Sequence, residues 1–260
     1  MERPDVETAT LEELVEYIGS PDLMLRYERL RSDLLDTNGL FALPMFFLGS
    51  ISRARGLHAG LAHAIASANP HAAAPLLRQF VETLAAVVYV TRHAEYAGAF
   101  IHDPRVQEQR GGPSRKSPKK LVDWMEASGN AVGFVALYAD LSEATHYGST
   151  AWAFPFQTDD NDDGIVRWQA EPRWKDEGSA RVICRWTVAA SDAMEAWLRQ
   201  LGELWHRVVA AREGMSGYCP VHGPVPEEGH TTCPLPETRI AGEAIEAFTC
   251  GRKLSDKPKP

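Results

Sequence analysis

Apolar residues recur at intervals of three and four along roughly the first 150 residues, which is the spacing of one face of an α-helix. The pattern predicts helices that begin near Thr10, Pro21, Pro44 and Pro70, followed by shorter helices over 119–128 and 131–147. Thr10 and Glu13 have the spacing of a capping box, in which each side chain accepts from the backbone N–H of the other residue. Pro70 suits a first helical turn, where its missing N–H costs nothing.

The helix that follows Pro70 is apolar on most of its faces, with the sequence AAPLLRQFVETLAAVVYV. A helix of this kind is normally surrounded by others rather than lying on a surface. We therefore expect it at the centre of a helical bundle.

The pattern changes after residue 150, where AWAFPFQ, GIVRWQAEPRW and ARVICRWTVAA are rich in aromatic and β-branched residues. These stretches predict two or three strands. A last amphipathic helix is predicted to follow, with Ser191 as its N-terminal cap. The predicted fold is mainly α, a bundle of six to eight helices over 1–213 with a small antiparallel β insert at about 150–190. An irregular Cys/His appendage over 214–250 and a disordered tail over 251–260 complete it.

Composition narrows the class of protein. The chain has 260 residues, 44% of them hydrophobic, which is enough for a core without disulfide staples, and its net charge of −8 argues against a general nucleic-acid binder. Four cysteines, no signal-peptide core and no apolar run long enough to span a bilayer predict a cytoplasmic protein. The basic stretch 105–120 predicts a solvated loop, with contact to nucleic acid or an acidic partner as the alternative.

Two helices carry polar residues that could meet inside the bundle. Arg78 and Glu82 lie four residues apart in an apolar setting, where a lone charge is costly. Tyr138, Ser142 and His146 form a stripe at intervals of four, with Ser149 near its end. The stripe and the Arg–Glu pair predict either a satisfied core network or a pocket in which His146 is a base and a serine a donor or nucleophile.

The segments LLRQFVE and YADLSEATHYGS resemble the motifs of a family of uncharacterised bacterial helical proteins. That family has an L-L-R-x-x-x-E helix and a later Y-x-x-L-S-x-x-x-H helix that ends in a serine. The family places this serine two residues after the histidine, whereas Ser149 follows His146 by three. The resemblance covers roughly residues 45–150 and implies a helical fold without an assigned activity.

A second, distant resemblance is to HEPN-type ribonucleases, which use an Arg and a His separated by four to six intervening residues. RARGLH supplies Arg53 and His58 at that spacing. Such a pair could polarise a phosphate and move a proton without a metal. The motif lies early in this chain, whereas those enzymes carry it near the last bundle helix.

Two stretches could hold metal ions. Asp159, Asn161 and Asp163 begin like a calcium loop, but the twelfth position is Ala170, so a turn between strands is the favoured interpretation.

The segment YCPVHGPVPEEGHTTCPLP places Cys219, His222, His230 and Cys233 in a C-x2-H-x7-H-x2-C pattern, which suits tetrahedral zinc, with Cys250 as a substitute for His230. A closed site of four ligands would be structural.

Taken together, the sequence predicts a binding or interaction protein with a structural zinc site. The alternative is a metal-independent hydrolase or HEPN-like ribonuclease that uses the Arg53/His58 pair or the His146 network. If exposed, Trp152, Trp168 and Trp174 would favour a homodimer or a protein partner.

Overall fold

A computed structural model describes residues 2–32, 42–101, 114–146, 156–158, 166–168, 171, 173–213, 217–219, 223–225, 236–241 and 244–249. For the strands and for residues 31–32, 95 and 205–213 it describes the backbone. The described chain is mainly helical, so the predicted helical bundle is confirmed.

The helices are α1 Leu11–Ile18, α2 Pro21–Ser32, α3 Ala42–Ala66, α4 Pro70–Arg92, α5 Ala97–Ile101, α6 Pro118–Ala127, α7 Phe134–Thr145 and α8 Glu177–Glu213, with a 3-10 turn at Ala94–Tyr96 before α5. The strands are β1 Phe156–Thr158, β2 Val166–Trp168, β3 Gly217–Cys219, β4 Gly223–Val225, β5 Pro236–Ala241 and β6 Ala244–Thr249.

Helix α4 lies at the centre of the bundle, as its apolar sequence predicts. It packs against α3, α6, α7 and α8, and residues on most of its faces are buried, among them Leu77, Phe80, Leu84 and Val88. Asn69 caps the helix by accepting from the N–H of Ala72 at 3.1 Å, and Pro70 follows in the first turn. The main hydrophobic core is built around this helix.

A second, smaller core lies at the N-terminal end of the chain. Helix α1 contributes Leu14, Tyr17 and Ile18, which pack with the end of α3 and with Cys184 and Val188 of α8. The predicted capping box that starts α1 is confirmed. Glu13 N–H donates to Thr10 Oγ1 at 3.2 Å, and Thr10 N–H donates to Glu13 Oε2 at 2.7 Å.

The predicted strand over 180–190 is wrong, because these residues belong to helix α8. The β-branched and aromatic residues of 180–190 favour a strand locally. However, Ala180, Cys184 and Val188 recur every four residues, as on one face of a helix, and are all buried. Tertiary burial along this helical face therefore overrides local strand preference. Ser191 is not a helix cap, since it lies inside α8 and donates back to the carbonyl of Thr187 at 2.7 Å.

The strands form three antiparallel pairs, β1 with β2, β3 with β4 and β5 with β6. The first pair joins Phe156 to Trp168 and Thr158 to Val166 and falls where the first two strands are predicted. The rest of the predicted insert before residue 171 is largely outside the described residues. The domain boundaries at 213 and 250 and the disordered tail also remain predictions.

Helix α4 is the one helix in the described chain that is long and apolar enough to cross a membrane by length and composition. Most of its apolar window is buried by the neighbouring helices, as in the core helix of a soluble protein. This finding is therefore weak evidence for a membrane span.

Candidate functional site

The polar residues predicted to meet between α4 and α7 do come together. Tyr138 Oη donates to Glu82 Oε1 at 2.9 Å and accepts from Arg78 Nη2 at 3.2 Å. Arg78 also lies over the Tyr138 ring, 5.2 Å from its centroid. We call these three residues together with His146, which contacts Arg78 Nη1 through Nε2, the Arg78 network. Sequence spacing alone thus identified four groups that meet in space.

Glu82 and Arg78 are held at the edge of the core. Their side chains are 22% and 18% exposed, and Arg78 Nε lies 3.3 Å from Glu82 Oε1. That contact has the distance of an ion pair without hydrogen-bond geometry, because Arg78 Nε has no hydrogen-bond partner in the described chain. The pair is therefore electrostatic at Nε, while Tyr138 supplies the hydrogen bond that fixes the carboxylate.

The network is poorly arranged for catalysis by a serine. Ser142 Oγ donates to the carbonyl of Tyr138 at 2.6 Å, so its proton is used within α7. His146 Nε2 contacts Arg78 Nη1, and because an arginine nitrogen is only a donor, this ring nitrogen is the acceptor of that contact. Ser149 lies outside the described residues.

Tyr138 acts as a hydrogen-bond donor in this setting. Burial raises the pKa of its phenol, the hydrogen bond from Arg78 lowers it, and the neighbouring Glu82 raises it again. The phenol therefore keeps its proton at neutral pH and can donate it to Glu82.

Arg53 and His58, the predicted ribonuclease pair, do not share a site. Arg53 reaches α4, where Nε donates to Thr83 Oγ1 at 3.0 Å and Nη2 to Gln79 Oε1 at 3.4 Å. His58 is fully buried, with Nε2 2.9 Å from the Ile18 carbonyl and Nδ1 2.9 Å from Ser191 Oγ. A ribonuclease pair must contact the same phosphate. With Arg53 directed to α4 and His58 buried, one phosphate cannot contact both side chains.

A cavity of about 310 Å³ opens between α3, α4, α5 and the start of α6. Its apolar lining residues are Phe46, Ala86, Phe100, Ile101, Pro118 and Leu121. Its polar lining residues are Ser50, Arg53, Glu82, Thr83, Arg115 and Lys116, and Gly49 also lines it. Glu82 belongs both to this cavity and to the Arg78 network, so the network forms part of the cavity wall.

Arg53, Glu82 and the basic stretch stand out in the sequence, but no sequence pattern reveals the cavity that joins them. Helix α3 supplies positions 46, 49, 50 and 53, and helix α4 supplies positions 82, 83 and 86. Both sets follow the three- and four-residue spacing of one helix face. That spacing was the available signal, although it does not reveal which helix faces which.

The described part of the predicted basic loop belongs to the cavity. Arg115 lies over the Phe100 ring at 5.3 Å, and Lys116 Nζ lies 5.4 Å and 5.7 Å from the ring centroids of Tyr89 and Tyr96. Aromatic faces attract cations and hold them in place without removing their charge. Residues 102–113 of that loop lie outside the described chain.

The structure leaves the predicted metal sites untested. Among the described residues there is no group of three or more His, Cys, Asp or Glu that could hold a metal ion. Cys219 is described by its backbone, and the other predicted zinc ligands, His222, His230, Cys233 and Cys250, lie outside the described residues. Residues 159–165, with the calcium-like sequence, and Trp152 also lie outside them.

A second hollow, of about 730 Å³, lies between α1, the end of α3 and the start of α8. Trp174 lines it and packs against the smaller core. Trp174 is therefore partly covered within this chain, which weakens its use as an exposed aromatic for a dimer surface.

Comparison of the chain with protein-family models, curated proteins and solved structures gave no match. The resemblances to the bacterial helical family and to HEPN-type ribonucleases therefore stay expectations from short motifs.

Proposed function

We propose that this protein binds a small molecule in the cavity between α3, α4, α5 and α6, and that its role is binding rather than catalysis. The observation that carries the proposal is the cavity itself, about 310 Å³ and lined by both apolar and polar residues. Cavities of roughly 300–1,000 Å³ with mixed walls are typical of small-molecule sites.

The Arg78 network supports a binding role. It fixes Glu82 at the cavity wall through Tyr138 and Arg78, so the wall is organised before any ligand arrives. Preorganised polar groups reduce the ordering cost of binding. The hydroxyl of Ser142 and Nε2 of His146 are occupied by other contacts, so neither supports a nucleophile and base pair.

The experiment that tests the proposal closes the cavity without disturbing the helix. A Cβ at Gly49, which lines the cavity, or at Gly56, which does not, would meet no atom within 4 Å. Gly49→Leu should fill the cavity, and Gly56→Leu is the matched control on the same helix. Replacing a helical glycine removes a backbone entropy cost of about 0.5–1 kcal/mol, so both variants should fold.

Binding is measured by saturation-transfer NMR with phenylbutyl probes that differ in head group: 4-phenylbutyrate, 4-phenylbutyl phosphate, 4-phenylbutanol and 4-phenylbutylamine. We expect at least one probe to bind the native chain and Gly56→Leu and to lose binding in Gly49→Leu. Binding of none of the probes, or equal binding to both variants, would refute a ligand site in this cavity.

A structural zinc site in the C-terminal segment is a second, separate proposal. Its support is the Cys219-x2-His222 spacing together with the backbone of the β3–β4 hairpin, in which Cys219 pairs with Gly223. His222 directly precedes Gly223 in the sequence, and two ligands three residues apart can bind one ion.

The second pair of ligands is His230 and Cys233, with Cys250 as the substitute for His230. The β5–β6 hairpin pairs Pro236 with Thr249. Cys233 precedes Pro236 by three positions and Cys250 follows Thr249 directly, so both flank the same end of that hairpin in sequence. This register is compatible with Cys250 as the substitute for His230.

Elemental analysis of the purified protein tests the zinc proposal. We expect about one zinc per chain, lost in Cys219→Ser and in Cys233→Ser. Comparison of His230→Ala with Cys250→Ser then identifies the fourth ligand, and a native chain without zinc rejects the site. Cytoplasmic location likewise stays part of the proposal, based on composition.

A further inference from the structure

We infer that the ligand of the cavity is a small organic anion, with a carboxylate or phosphate head group and an apolar body. This inference rests on the proposed binding function and adds the chemical class of the ligand. It is carried by three cationic side chains, Arg53, Arg115 and Lys116, that line one small cavity.

The charge of Arg53 is available to a ligand. In the part of the chain that the structure describes, its guanidinium bonds two neutral acceptors, Thr83 Oγ1 and Gln79 Oε1, and no carboxylate lies within ion-pair distance. These contacts orient the group beside the cavity without neutralising it. A guanidinium has five donors, so further donors remain for an anion.

The charges of Arg115 and Lys116 are held at the same cavity by aromatic rings. Arg115 lies over Phe100, and Lys116 lies over the rings of Tyr89 and Tyr96. Within the described chain neither has a carboxylate partner at ion-pair distance. An aromatic face positions a cation but leaves its full charge, so three positive charges converge on one space.

Among the described residues that line this cavity, Glu82 is the one carboxylate, and its charge is already paired. Arg78 pairs with it at 3.3 Å and Tyr138 donates to it at 2.9 Å. The Arg78 network thus offsets the negative charge of Glu82 from behind the wall. The cavity keeps a positive excess from Arg53, Arg115 and Lys116, which favours an anion.

The apolar residues that line the cavity determine the rest of the ligand. Phe46, Phe100, Ile101 and Leu121 present aromatic and aliphatic surface to the cavity. Burying an apolar group against this surface is favourable, and a hydrated inorganic anion has no such group to bury. An organic acid with an aromatic or branched aliphatic body can contact both the cationic and the apolar lining residues.

The four phenylbutyl probes test this inference because they share one body and differ in head group. We expect 4-phenylbutyrate or 4-phenylbutyl phosphate to bind at least ten-fold more tightly than 4-phenylbutanol, and 4-phenylbutylamine to bind most weakly. The carboxylate and phosphate arms distinguish the two head groups. Added salt should weaken binding of the anions and leave the alcohol unchanged.

Charge removal provides the matched variants. Arg53→Gln and Lys116→Gln should each lower affinity for the anionic probe by at least five-fold while affinity for the alcohol stays within two-fold. Arg55→Gln is the control, because Arg55 lies on the same helix, pairs with Glu28 at 2.9 Å and does not line the cavity. Thermal unfolding confirms that each variant is folded.

The outcomes separate this inference from the proposed function. If the alcohol and the amine bind in the cavity as tightly as the anions, the cavity is a binding site but the anion inference is wrong. The same conclusion follows if Arg53→Gln and Lys116→Gln leave anion affinity unchanged. If no probe binds, or if Gly49→Leu binds all probes as the native chain does, the proposed function itself fails.

Discussion

Arg53 and His58 lie five positions apart on helix α3 and face different environments. The guanidinium of Arg53 borders a cavity, whereas the ring of His58 is fully buried between α1, α2, α4 and α8. Five residues turn an α-helix by about 140°, so residues at this spacing are directed to different neighbours. A motif defined by sequence spacing therefore does not define a shared site here.

The buried His58 should make stability depend on pH. Burial lowers its pKa below the ordinary value of 6.5, the hydrogen bond to Ile18 raises it, and the charge of Arg26 lowers it again. The unfolded chain then binds a proton more readily than the folded chain. The stability contribution is present above pH 6.5 and is lost as the pH falls towards the folded pKa, with a slope of at most about 1.4 kcal/mol per pH unit.

Urea unfolding between about pH 7.5 and pH 5 measures this slope. We expect His58→Gln to be less stable than the native chain by about 1–3 kcal/mol at neutral pH, because buried hydrogen bonds are lost, and to show a flatter pH dependence. His63→Gln is the control, since His63 is an exposed residue of the same helix. A native slope retained in His58→Gln would assign the pH dependence to other groups.

Tyr138→Phe should separate the contribution of the Tyr138 hydroxyl from that of its aromatic ring. The ring stays beside Arg78, while the hydrogen bonds with Glu82 and Arg78 are lost. We expect a loss of about 1–2 kcal/mol in the free energy of unfolding, since a partly buried carboxylate loses a donor. A double-mutant cycle with Glu82→Gln measures the coupling, and additive effects would show that the hydrogen bond contributes little.

Substitution of Gly133 should destabilise the protein for two reasons, its left-handed backbone conformation and steric contact with Trp186. Gly129 shares only the first of these, so a comparison of the two positions separates them. Gly133 caps α7 with φ of +82°, and a Cβ there would lie 3.0 Å from Cη2 of Trp186. Gly129 has φ of +70° with no atom within 4 Å of such a Cβ. Gly129→Ala should cost about 1–2 kcal/mol for the left-handed backbone, and Gly133→Ala should cost more.

Chemical denaturation of the two alanine variants measures the difference. Equal losses would show that the Trp186 ring moves aside and that the backbone alone sets the preference for glycine. A larger loss at Gly133, relieved in the Gly133→Ala/Trp186→Leu double variant, would confirm the steric part.

The thiol of Cys184 should not react with alkylating reagents while the protein is folded. The residue is fully buried, and burial raises the pKa of its thiol to about 11, partly offset by Arg181. The thiolate is the reactive form, so N-ethylmaleimide at about pH 8 should leave Cys184 unmodified until the chain unfolds. Mass spectrometry of the tryptic peptide Val182–Arg185 locates the label, and rapid labelling of the folded chain would contradict its burial.

The sequence was most informative where local chemistry and tertiary burial agree. The capping box at Thr10, the cap and proline at Asn69 and Pro70, and the apolar character of α4 all favour the observed helices. Residues 180–190 show the opposite case. The local preference for a strand comes from Val182, Ile183, Trp186 and Val188. Packing against the bundle instead stabilises a helix, because it buries the face that carries Ala180 and Cys184.

The Arg78 network could be predicted because a charge in an apolar helix needs a partner, and Tyr138 and His146 had the spacing to supply one. The cavity could not be predicted, because it depends on how α3 and the start of α6 dock on α4. Arg53 and Lys116 lie more than sixty residues apart, and no local pattern relates them.

The central position of helix α4 also affects how the chain can be made. Helix α4 ends at residue 92, and helix α8, which covers one of its sides, ends at residue 213. At a synthesis rate of roughly 5–20 residues per second, about 6–24 seconds separate these two points. During that interval the side of α4 that α8 will cover is exposed on the nascent chain, and this apolar side is a recognition surface for chaperones and a starting point for aggregation.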